Sequence, residues 1–278
     1  MVNQFQRDAV IETITNYSKN NNDLYFISAD FGAPSLDDYR KFFPNNFIHA
    51  GISEQNAVTV AGGIAKKNKK AILYAMAPFI SLRCLEQHKC SSALMNLPVI
   101  TLVSGIGLGY ADAGPTHYAT EDLSCLRTLQ GCEIYTPSDN LIAVEIIQQL
   151  LKQEKFSFLR LDRHLNDGMK INEIERLNGS RIIKKSNNND EVLIISHGYI
   201  LHKAVELVEK LNLDISILDL FQNKGFGKDT LEYISKFKKI ICIDEQYREG
   251  NLSSIIFESI SNINSLIDIK DISIDSNY

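Results

Sequence analysis

The sequence predicts an α/β protein built from two doubly wound domains with mostly parallel sheets. Strand-like apolar runs alternate with helix-like segments along the 278 residues. The predicted strands are continuously apolar, which is typical of strands that helices cover on both faces of a parallel sheet. A polar stretch over residues 169–189 interrupts the alternation, and it contains Asn178-Gly179 and a run of three asparagines. We interpret it as a linker between a first domain, residues 1–168, and a smaller domain, residues 190–278.

The periodicity of apolar residues sets the order of elements in the first domain. It predicts an N-terminal amphipathic helix, a strand over 24–30, a loop, a short strand at Phe47 and a helix that Ser53 should cap. After these come a strand over 70–77, a helix over 81–95, a strand over 97–104, a glycine-rich loop, a helix over 120–129, a strand over 133–139, a helix over 140–153 and a strand over 156–162.

The second domain shows the same alternation on a smaller scale. Strands are predicted over 191–198, 214–220 and 239–245, and helices up to 211, over 229–237 and over 252–260. Because parallel neighbours need a crossover connection, this pattern predicts a second doubly wound sheet.

Composition and charge exclude several classes of function. The net charge of −5 is modest and spread along the chain, so we expect no nucleic-acid partner. No apolar stretch approaches the roughly 20 residues that cross a bilayer, so we expect no membrane association. The N-terminal segment mixes acidic and basic residues, unlike a signal peptide, and the five cysteines lack CxxC spacing. We therefore predict a cytoplasmic protein without disulfides and without metal-ligating residues of its own.

The glycine-rich loop after the strand over 97–104 does not fit a nucleotide-binding loop. In SGIGLGY, Tyr110 stands where a dinucleotide-binding fingerprint requires its third glycine, after Gly105 and Gly107. No G-x-x-x-x-G-K-[ST] phosphate loop occurs in the sequence. A nicotinamide enzyme and a P-loop nucleotidase are both disfavoured.

Two polar segments lie where predicted strands end. Glu54 opens the helix after the strand at Phe47, and DAGPTHYATEDL places Asp112 and His117 after the strand over 97–104. Each feature also has a plain structural explanation, because a first-turn acid complements the helix dipole and a lone loop histidine is usually structural. Loops at the carboxyl ends of parallel strands gather ligands, however, and two such segments on one sheet favour a site.

Several motifs in register resemble one family. GISEQN, APF, LPV, GPTH, EDL and TPSD occur in this order and resemble the pyrimidine-binding domain of transketolase-like thiamine diphosphate enzymes. The segment after the linker resembles the C-terminal domain of the same enzymes. The resemblance covers nearly the whole chain, and it implies thiamine diphosphate with Mg²⁺ as the cofactor and small sugars as substrates.

The resemblance also implies roles for individual residues. Glu54 matches the glutamate that hydrogen-bonds a ring nitrogen of the cofactor's aminopyrimidine and takes part in proton transfer. Phe79 matches the aromatic residue that stacks on the pyrimidine, and Ile52 is expected to bind the cofactor as well. His117 matches a histidine that contacts the substrate near its reacting carbonyl, and Arg163 matches an arginine that binds a sugar phosphate. The expected catalytic residues are thus Glu54 and His117.

Two features depart from the family pattern. The sequence has no GDG followed by asparagine, the motif that holds magnesium and diphosphate in these enzymes. The resemblance therefore implies a split enzyme, in which an N-terminal partner subunit carries GDG…N and two copies of each chain form a heterotetramer. Ala113 and Gly105 stand where transketolases have an aspartate and a histidine, which should weaken recognition of the ordinary ketose phosphate. Asp112 is the candidate substitute as a substrate-binding residue.

The leading hypothesis is the C-terminal (beta) subunit of a split transketolase that moves a two-carbon ketol unit between sugars. A carboligase similar to deoxyxylulose-phosphate synthase and the beta subunit of a 2-oxo-acid dehydrogenase are alternatives, although the latter subunits lack GPTH. A non-catalytic partner subunit is a third alternative, against which the retained Glu54 argues.

Overall fold

The computed structural model describes residues 4–165, 172–187, 191–261 and 267–275, which form two sheets flanked by helices. The strands are β1 (Leu24–Ala29), β2 (Phe47–Gly51), β3 (Lys70–Met76), β4 (Val99–Ser104), β5 (Glu133–Tyr135), β6 (Ser157–Leu161), β7 (Glu175–Leu177), β8 (Ser180–Lys184), β9 (Val192–Ser196), β10 (Ser216–Asp219), β11 (Gln222–Lys224), β12 (Lys239–Tyr247) and β13 (Asp268–Ile274). The helices are α1 (Gln6–Ser18), α2 (Ser35–Phe42), α3 (Glu54–Ala65), α4 (Ala77–Ile80), α5 (Leu85–His88), α6 (Asp122–Leu126), α7 (Asn140–Leu150), α8 (Gly198–Lys210), α9 (Lys228–Ile234) and α10 (Leu252–Ile260). Within the described ranges, no helix combines the length and the apolar character that a membrane span needs.

Both sheets are mostly parallel. The first sheet has the strand order β11-β5-β6-β4-β3-β1-β2, and its neighbours are parallel except for β11 and β5. The second has the order β13-β12-β9-β10-β8-β7, in which β8 runs antiparallel to both of its neighbours, β10 and β7, and the other pairs are parallel. The predicted α/β fold is confirmed.

Side-chain alternation along the strands separates two apolar layers on the faces of the first sheet. On β3, Leu73 faces the layer that contains Ala57 and Ala61 of α3. Ile72 and Tyr74 face the opposite layer, which α1 and α7 cover. Helices thus bury both faces, and this explains why the strand sequences are continuously apolar.

The segment predicted as a linker, 169–189, contains two strands of the second sheet. β7 and β8 pair antiparallel with Leu177 opposite Ser180, so Asn178-Gly179 forms the hairpin turn. Gly179 has a φ of +88°, the left-handed conformation that such turns require. The polar composition concealed β7 because it lies at the sheet edge and exposes its side chains. Residues 169–171 and 188–189 of this segment lie outside the described residues, and the domain boundaries stay predictions.

Several helical predictions differ from the structure. The segment 81–95 is not one helix. Helix α4 already ends at Ile80, the next helix, α5, begins only at Leu85, and α5 passes directly into a π-helical turn, Lys89–Ala93. α2 occupies a stretch predicted as a loop. Ser53 occupies the N-cap position of α3 as predicted, but its hydroxyl donates to the Ala50 carbonyl at 2.5 Å and makes no capping hydrogen bond to the helix.

Candidate active site

The predicted site residues lie at one edge of the first sheet. Glu54 is the first residue of α3, which follows β2, and Phe79 lies in α4 directly after β3. His117 lies in the loop after β4, and Arg163 follows β6. Because these four strands run parallel, the residues share the carboxyl edge, where ligands bind in open α/β sheets.

Glu54 is a buried carboxylate with an arginine partner. It is 6% exposed, and Arg83 Nη1 donates to Glu54 Oε2 at 3.0 Å. The Arg83 side chain is 45% exposed, so the ion pair reaches the protein surface and does not lie within the core. A buried carboxylate needs such a partner because burial disfavours the charged form.

The chain of contacts continues from Arg83 through Phe79 to His117. The Arg83 guanidinium carbon lies 4.5 Å from the centroid of the Phe79 ring, a cation–π contact. The Phe79 and His117 rings meet edge to face with centroids 5.4 Å apart. Glu54 and His117, which belong to separate sequence segments, are therefore connected through two side chains.

Sequence reasoning did not identify Arg83. This residue lies between α4 and α5, in the segment predicted as a continuous helix, and the break in that helix turns it toward α3. Gln55 Nε2 of α3 also donates to the Arg83 carbonyl at 3.0 Å. Pro78, a residue type that favours the first helical turn, is the sequence signal that a helix begins earlier than Ser81.

The loop that carries His117 is closed at its base. Gly107 N donates to the Ala119 carbonyl at 3.2 Å, and Ala119 N donates to the Gly107 carbonyl at 2.9 Å. Gly114, with a φ of +87°, reverses the chain between two short 3₁₀ turns. The half-buried His117 ring has Nδ1 at 3.0 Å from Thr116 Oγ1. The hydrogen bonds between Gly107 and Ala119 thus fix the ends of the loop that carries His117.

Arg163 is paired with Asp112. Arg163 Nη1 donates to Asp112 Oδ1 at 2.7 Å and to the Gly109 carbonyl at 3.2 Å, and the guanidinium carbon lies 4.3 Å from the centroid of the Tyr110 ring. The hydrogen bond from Arg163 holds the pKa of the Asp112 carboxyl below its usual range. Arg163 is therefore oriented by stacking, but its charge already has a counterion within the chain.

The ring of Tyr110 requires a glycine at position 105. Gly105 has a φ of +79°, and a Cβ there would lie 2.0 Å from Tyr110 Cε2. Phe31 packs edge-on against the same ring, with centroids 6.2 Å apart. No side chain, including the histidine that the family resemblance leads us to expect, fits at position 105 unless Tyr110 moves.

Exposed apolar side chains flank Glu54 and Arg83 along the chain. Ile52 lies between β2 and α3 and is 79% exposed, and Leu82 is 38% exposed. In this chain the Ile52 side chain therefore faces solvent.

A buried ion pair supports the loop from beneath. Asp122 begins α6 and Arg160 lies on β6, and their side chains are 0% and 1% exposed. Arg160 Nε donates to Asp122 Oδ2 and Nη2 donates to Oδ1, both at 2.8 Å. Arg160 Nη1 also donates to Thr136 Oγ1 at 2.6 Å. The start of α6, directly after the loop, is thus fixed by a two-point pairing of buried charges.

The same network continues into the second sheet. The Thr136 hydroxyl donates to Asn223 Oδ1, and Asn223 Nδ2 donates to His197 Nδ1 at 2.7 Å. His197 Nε2 lies 3.0 Å from Asp244 Oδ1. Because Nδ1 accepts a hydrogen bond, the proton of the imidazole lies on Nε2, facing Asp244. Directed hydrogen bonds between buried side chains therefore join the two sheets, and nothing in the sequence pattern indicated them.

Thiols near the site are poorly suited to nucleophilic catalysis, because the thiolate is the reactive form. Burial raises the pKa of Cys84 to about 12, and the neighbouring Glu54 carboxylate contributes to the rise. Cys132 precedes β5 and so lies away from this edge, and burial raises its pKa as well. In the part of the chain that the structure describes, no group of three or more His, Cys, Asp or Glu is arranged to hold a metal ion. The predicted site residues and Arg83 thus offer two carboxylates, one imidazole and two guanidinium groups at this edge.

Two family models match the chain. Residues 6–167 match the model described as "Transketolase, pyrimidine binding domain". Residues 182–271 match the model described as "Transketolase, C-terminal domain".

Individual relatives differ in how much of their length the chain spans. An apulose-4-phosphate transketolase subunit of Phocaeicola vulgatus is 25% identical over 263 residues, which cover 92% of this chain and 83% of that subunit. The 1-deoxy-D-xylulose-5-phosphate synthase of Magnetococcus marinus is 28% identical over 236 residues, which cover 83% of this chain but only 37% of the synthase. The chain thus spans most of the first relative and little more than a third of the second.

One solved structure covers nearly the whole chain. "Split gene transketolase, inactive beta4 tetramer" superposes with a TM-score of 0.84 at 21% identity, over 99% of this chain and 90% of that chain. At this level of identity the likeness concerns the fold.

Proposed function

Because the chain belongs to the transketolase family, we propose that it is the C-terminal (beta) subunit of a split, thiamine diphosphate-dependent transketolase-like enzyme. In this proposal the enzyme is a transferase that moves a two-carbon ketol unit between (phospho)sugars. Similarity to a separate transketolase subunit over 83% of its length supports the split arrangement. The name of that relative specifies apulose 4-phosphate, and for this chain we propose only the class of sugar phosphates.

The position of Glu54 carries the proposal. An aminopyrimidine needs a carboxyl group beside a ring nitrogen and an apolar ring on which to stack. Glu54 is 6% exposed at the carboxyl edge of the sheet, and the Phe79 ring reaches it through the shared contact with Arg83. These two residue types suit the pyrimidine half of the cofactor, and a bound pyrimidine would take the place of the Arg83 guanidinium that contacts both of them in this structure.

Each proposed step belongs to a residue of this chain. Glu54 holds a proton at the pyrimidine nitrogen, shielded from water by its burial. Phe79 orients the pyrimidine, with Ile52 beside it, and His117 donates a hydrogen bond to the oxygen of the reacting carbonyl. Arg163 binds the phosphate of the sugar, for which a planar guanidinium is well suited. When bound, thiamine diphosphate supplies the carbon nucleophile and the electron sink for the two-carbon unit.

We further propose that a partner subunit holds the diphosphate and Mg²⁺. The 278 residues contain no GDG followed by asparagine, so the N-terminal subunit would carry this motif. The exposed Ile52 and Leu82 beside the site are suited to a surface that a partner covers. The name of the solved split-gene protein describes a tetramer of beta chains as inactive, which agrees with a need for the partner. We propose a cytoplasmic heterotetramer with two copies of each chain.

Native mass spectrometry of the tagged chain, purified gently from its own cells, tests this proposal. We expect a second chain with GDG…N in equal number, together with thiamine diphosphate and Mg²⁺. When this complex is given a ketose phosphate and an aldose phosphate, ketol transfer should follow. A chain that is isolated alone, and that stays free of cofactor after both cofactors are added, contradicts the proposal.

A carboligase of the deoxyxylulose-phosphate synthase type is the second candidate. The 28% identity to such a synthase favours it. Product analysis with pyruvate in place of the ketose donor separates the two reactions. Turnover of pyruvate without turnover of any ketose phosphate would replace the first proposal by the second.

The pairing of Arg163 with Asp112 predicts opposite effects of two substitutions. Arg163→Ala should raise the KM of a phosphorylated sugar about tenfold and spare the free sugar, because hydrogen bonds between guanidinium and phosphate are charge-assisted. Asp112→Asn removes the competing counterion and should lower that KM severalfold; a higher KM for both the phosphorylated and the free sugar would instead show that Asp112 is the substrate-binding residue that the resemblance implies. Because Arg163 holds the pKa of Asp112 below its usual range, the carboxylate stays charged and the competition persists across about pH 5 to 8.

Initial rates with the phosphorylated and free forms of one sugar measure both effects. Arg40→Ala is the matched control, because Arg40 also pairs with an exposed aspartate, Asp37, at 3.1 Å. Equal losses for both forms of the sugar would show that Arg163 does not bind the phosphate.

A further inference from the structure

The last residues of β12 contact the loop that carries His117. β12 pairs with β9 only over Lys239–Ile243, so its final residues extend beyond that pairing. Gln246 Nε2 donates to the Ala119 carbonyl at 2.6 Å, and Leu123 N donates to Gln246 Oε1 at 3.2 Å. The side chain of a residue in the second sheet thereby binds the main chain at two points of the first domain.

The neighbours of Gln246 make the same connection. Tyr247 N donates to the Thr120 carbonyl at 2.7 Å. Glu245 packs against Gly107, where an added Cβ would lie 2.8 Å from Glu245 Cβ. Since Gly107 and Ala119 close the base of the loop, residues 245–247 contact both of its ends.

Gln246 also accepts a hydrogen bond from a main-chain N–H at the start of α6. The first N–H groups of a helix lack partners within the helix, and Leu123 N is one of them. Gln246 is 2% exposed, so no water competes for this bond. The side chain of Glu121, at the N-cap position of α6, makes no capping hydrogen bond to the helix.

We propose that Gln246 is a positioning residue for His117, through which the second domain holds the substrate loop of the first. The proposal rests on the proposed function for its chemical consequence, but the contact itself is independent of it. The Gln246 side chain hydrogen-bonds to the Ala119 carbonyl, at the Gly107–Ala119 base of the loop, and to the Leu123 amide at the start of α6. Misplacing a catalytic group by about 1 Å lowers the rate on the order of 100-fold. The second domain, which contributes none of the proposed substrate contacts, thus acts on the reaction through this clamp.

Hydrogen exchange of the full chain tests the contact without any substrate. Gln246→Met keeps the length of the side chain but removes both hydrogen bonds. We expect amide exchange in residues 105–124 to accelerate about tenfold or more, while exchange in β9 and β10 stays unchanged. Gln222→Met is the matched control, because Gln222 is also buried but its side chain bonds to the Lys224 carbonyl in its own strand. Unchanged exchange in residues 105–124 overturns the proposal.

Kinetics of the complex with the N-terminal subunit test the consequence. Gln246→Met should lower kcat about 10- to 100-fold and leave the Kd for thiamine diphosphate unchanged, whereas Gln222→Met should alter neither. Faster loop exchange together with an unaltered kcat overturns the positioning role. If the wild-type complex shows no ketol transfer, the proposed function fails, and the exchange experiment still decides whether the clamp exists.

Discussion

We expect Glu54→Gln to lower the ketol-transfer rate of the complex about a thousandfold and to leave the fold intact. Glutamine keeps the shape of glutamate, and its carbonyl can still accept from Arg83, but it cannot take up and return a proton. Proton transfer by a positioned side chain contributes on the order of 10² to 10⁴ in rate. The measurement is kcat of the complex at saturating thiamine diphosphate, together with the thermal unfolding of the chain.

Glu86→Gln is the matched control for this substitution. Glu86 is also an acid in the first turn of a helix, α5, but it is exposed. If Glu54 served only the helix dipole, both substitutions would have the same small effect, since the interaction of a charge with a helix dipole contributes about 0.3 to 1 kcal/mol. Equal rates for the two variants would remove Glu54 from the mechanism.

The fold was largely predictable because its strands carry a strong local signal. Strands buried on both faces, such as β1, β3 and β4, are continuously apolar and flanked by helical periods. Edge elements carry no such signal: β7 exposes its side chains, and β13 alternates between exposed and half-buried positions. β11 has three residues and joins the first sheet from the second half of the chain, a pairing that no local pattern encodes.

The candidate site was predictable only where a motif or a strand end indicated it. Glu54, Phe79 and His117 follow strands within recognisable motifs, and the structure brings them to one edge. Arg83 and Gln246 were not predictable, because their contacts depend on a helix break and on the extension of β12 into the first domain. Such contacts join residues that are far apart in sequence.

Tyr110 illustrates a sequence departure that acquires meaning only in three dimensions. In the sequence it is the residue that spoils a dinucleotide-binding fingerprint. In the structure its ring fills the space beside Gly105 and supports the guanidinium of Arg163. The absence of a histidine at position 105 is therefore coupled to the position of the Tyr110 ring, and it also changes the polar groups available to a substrate.

We expect Asp122→Asn to lower the free energy of unfolding by about 3–5 kcal/mol. The substitution preserves volume but leaves the buried Arg160 guanidinium without its two-point partner, and breaking a buried pair from one side has this magnitude. Arg160 also interacts electrostatically with Asp162 and Asp244, so the loss of stability should lie near the lower end of that range. Urea unfolding followed by circular dichroism measures the change.

The double variant Asp122→Leu, Arg160→Met separates charge from packing. It removes both buried charges, so most of the stability lost in Asp122→Asn should return, because an apolar pair of similar volume replaces an ion pair at little or no loss. Arg160 also donates to Thr136, and the double variant leaves that hydroxyl with Asn223 as its partner. A double variant as unstable as Asp122→Asn would show that the other interactions of Arg160, its hydrogen bond to Thr136 and its charge near Asp162 and Asp244, stabilise the fold more than the ion pair does. In that event the network from Asp122 to Asp244 would act as one structural unit, and the loop of His117 would depend on all of it.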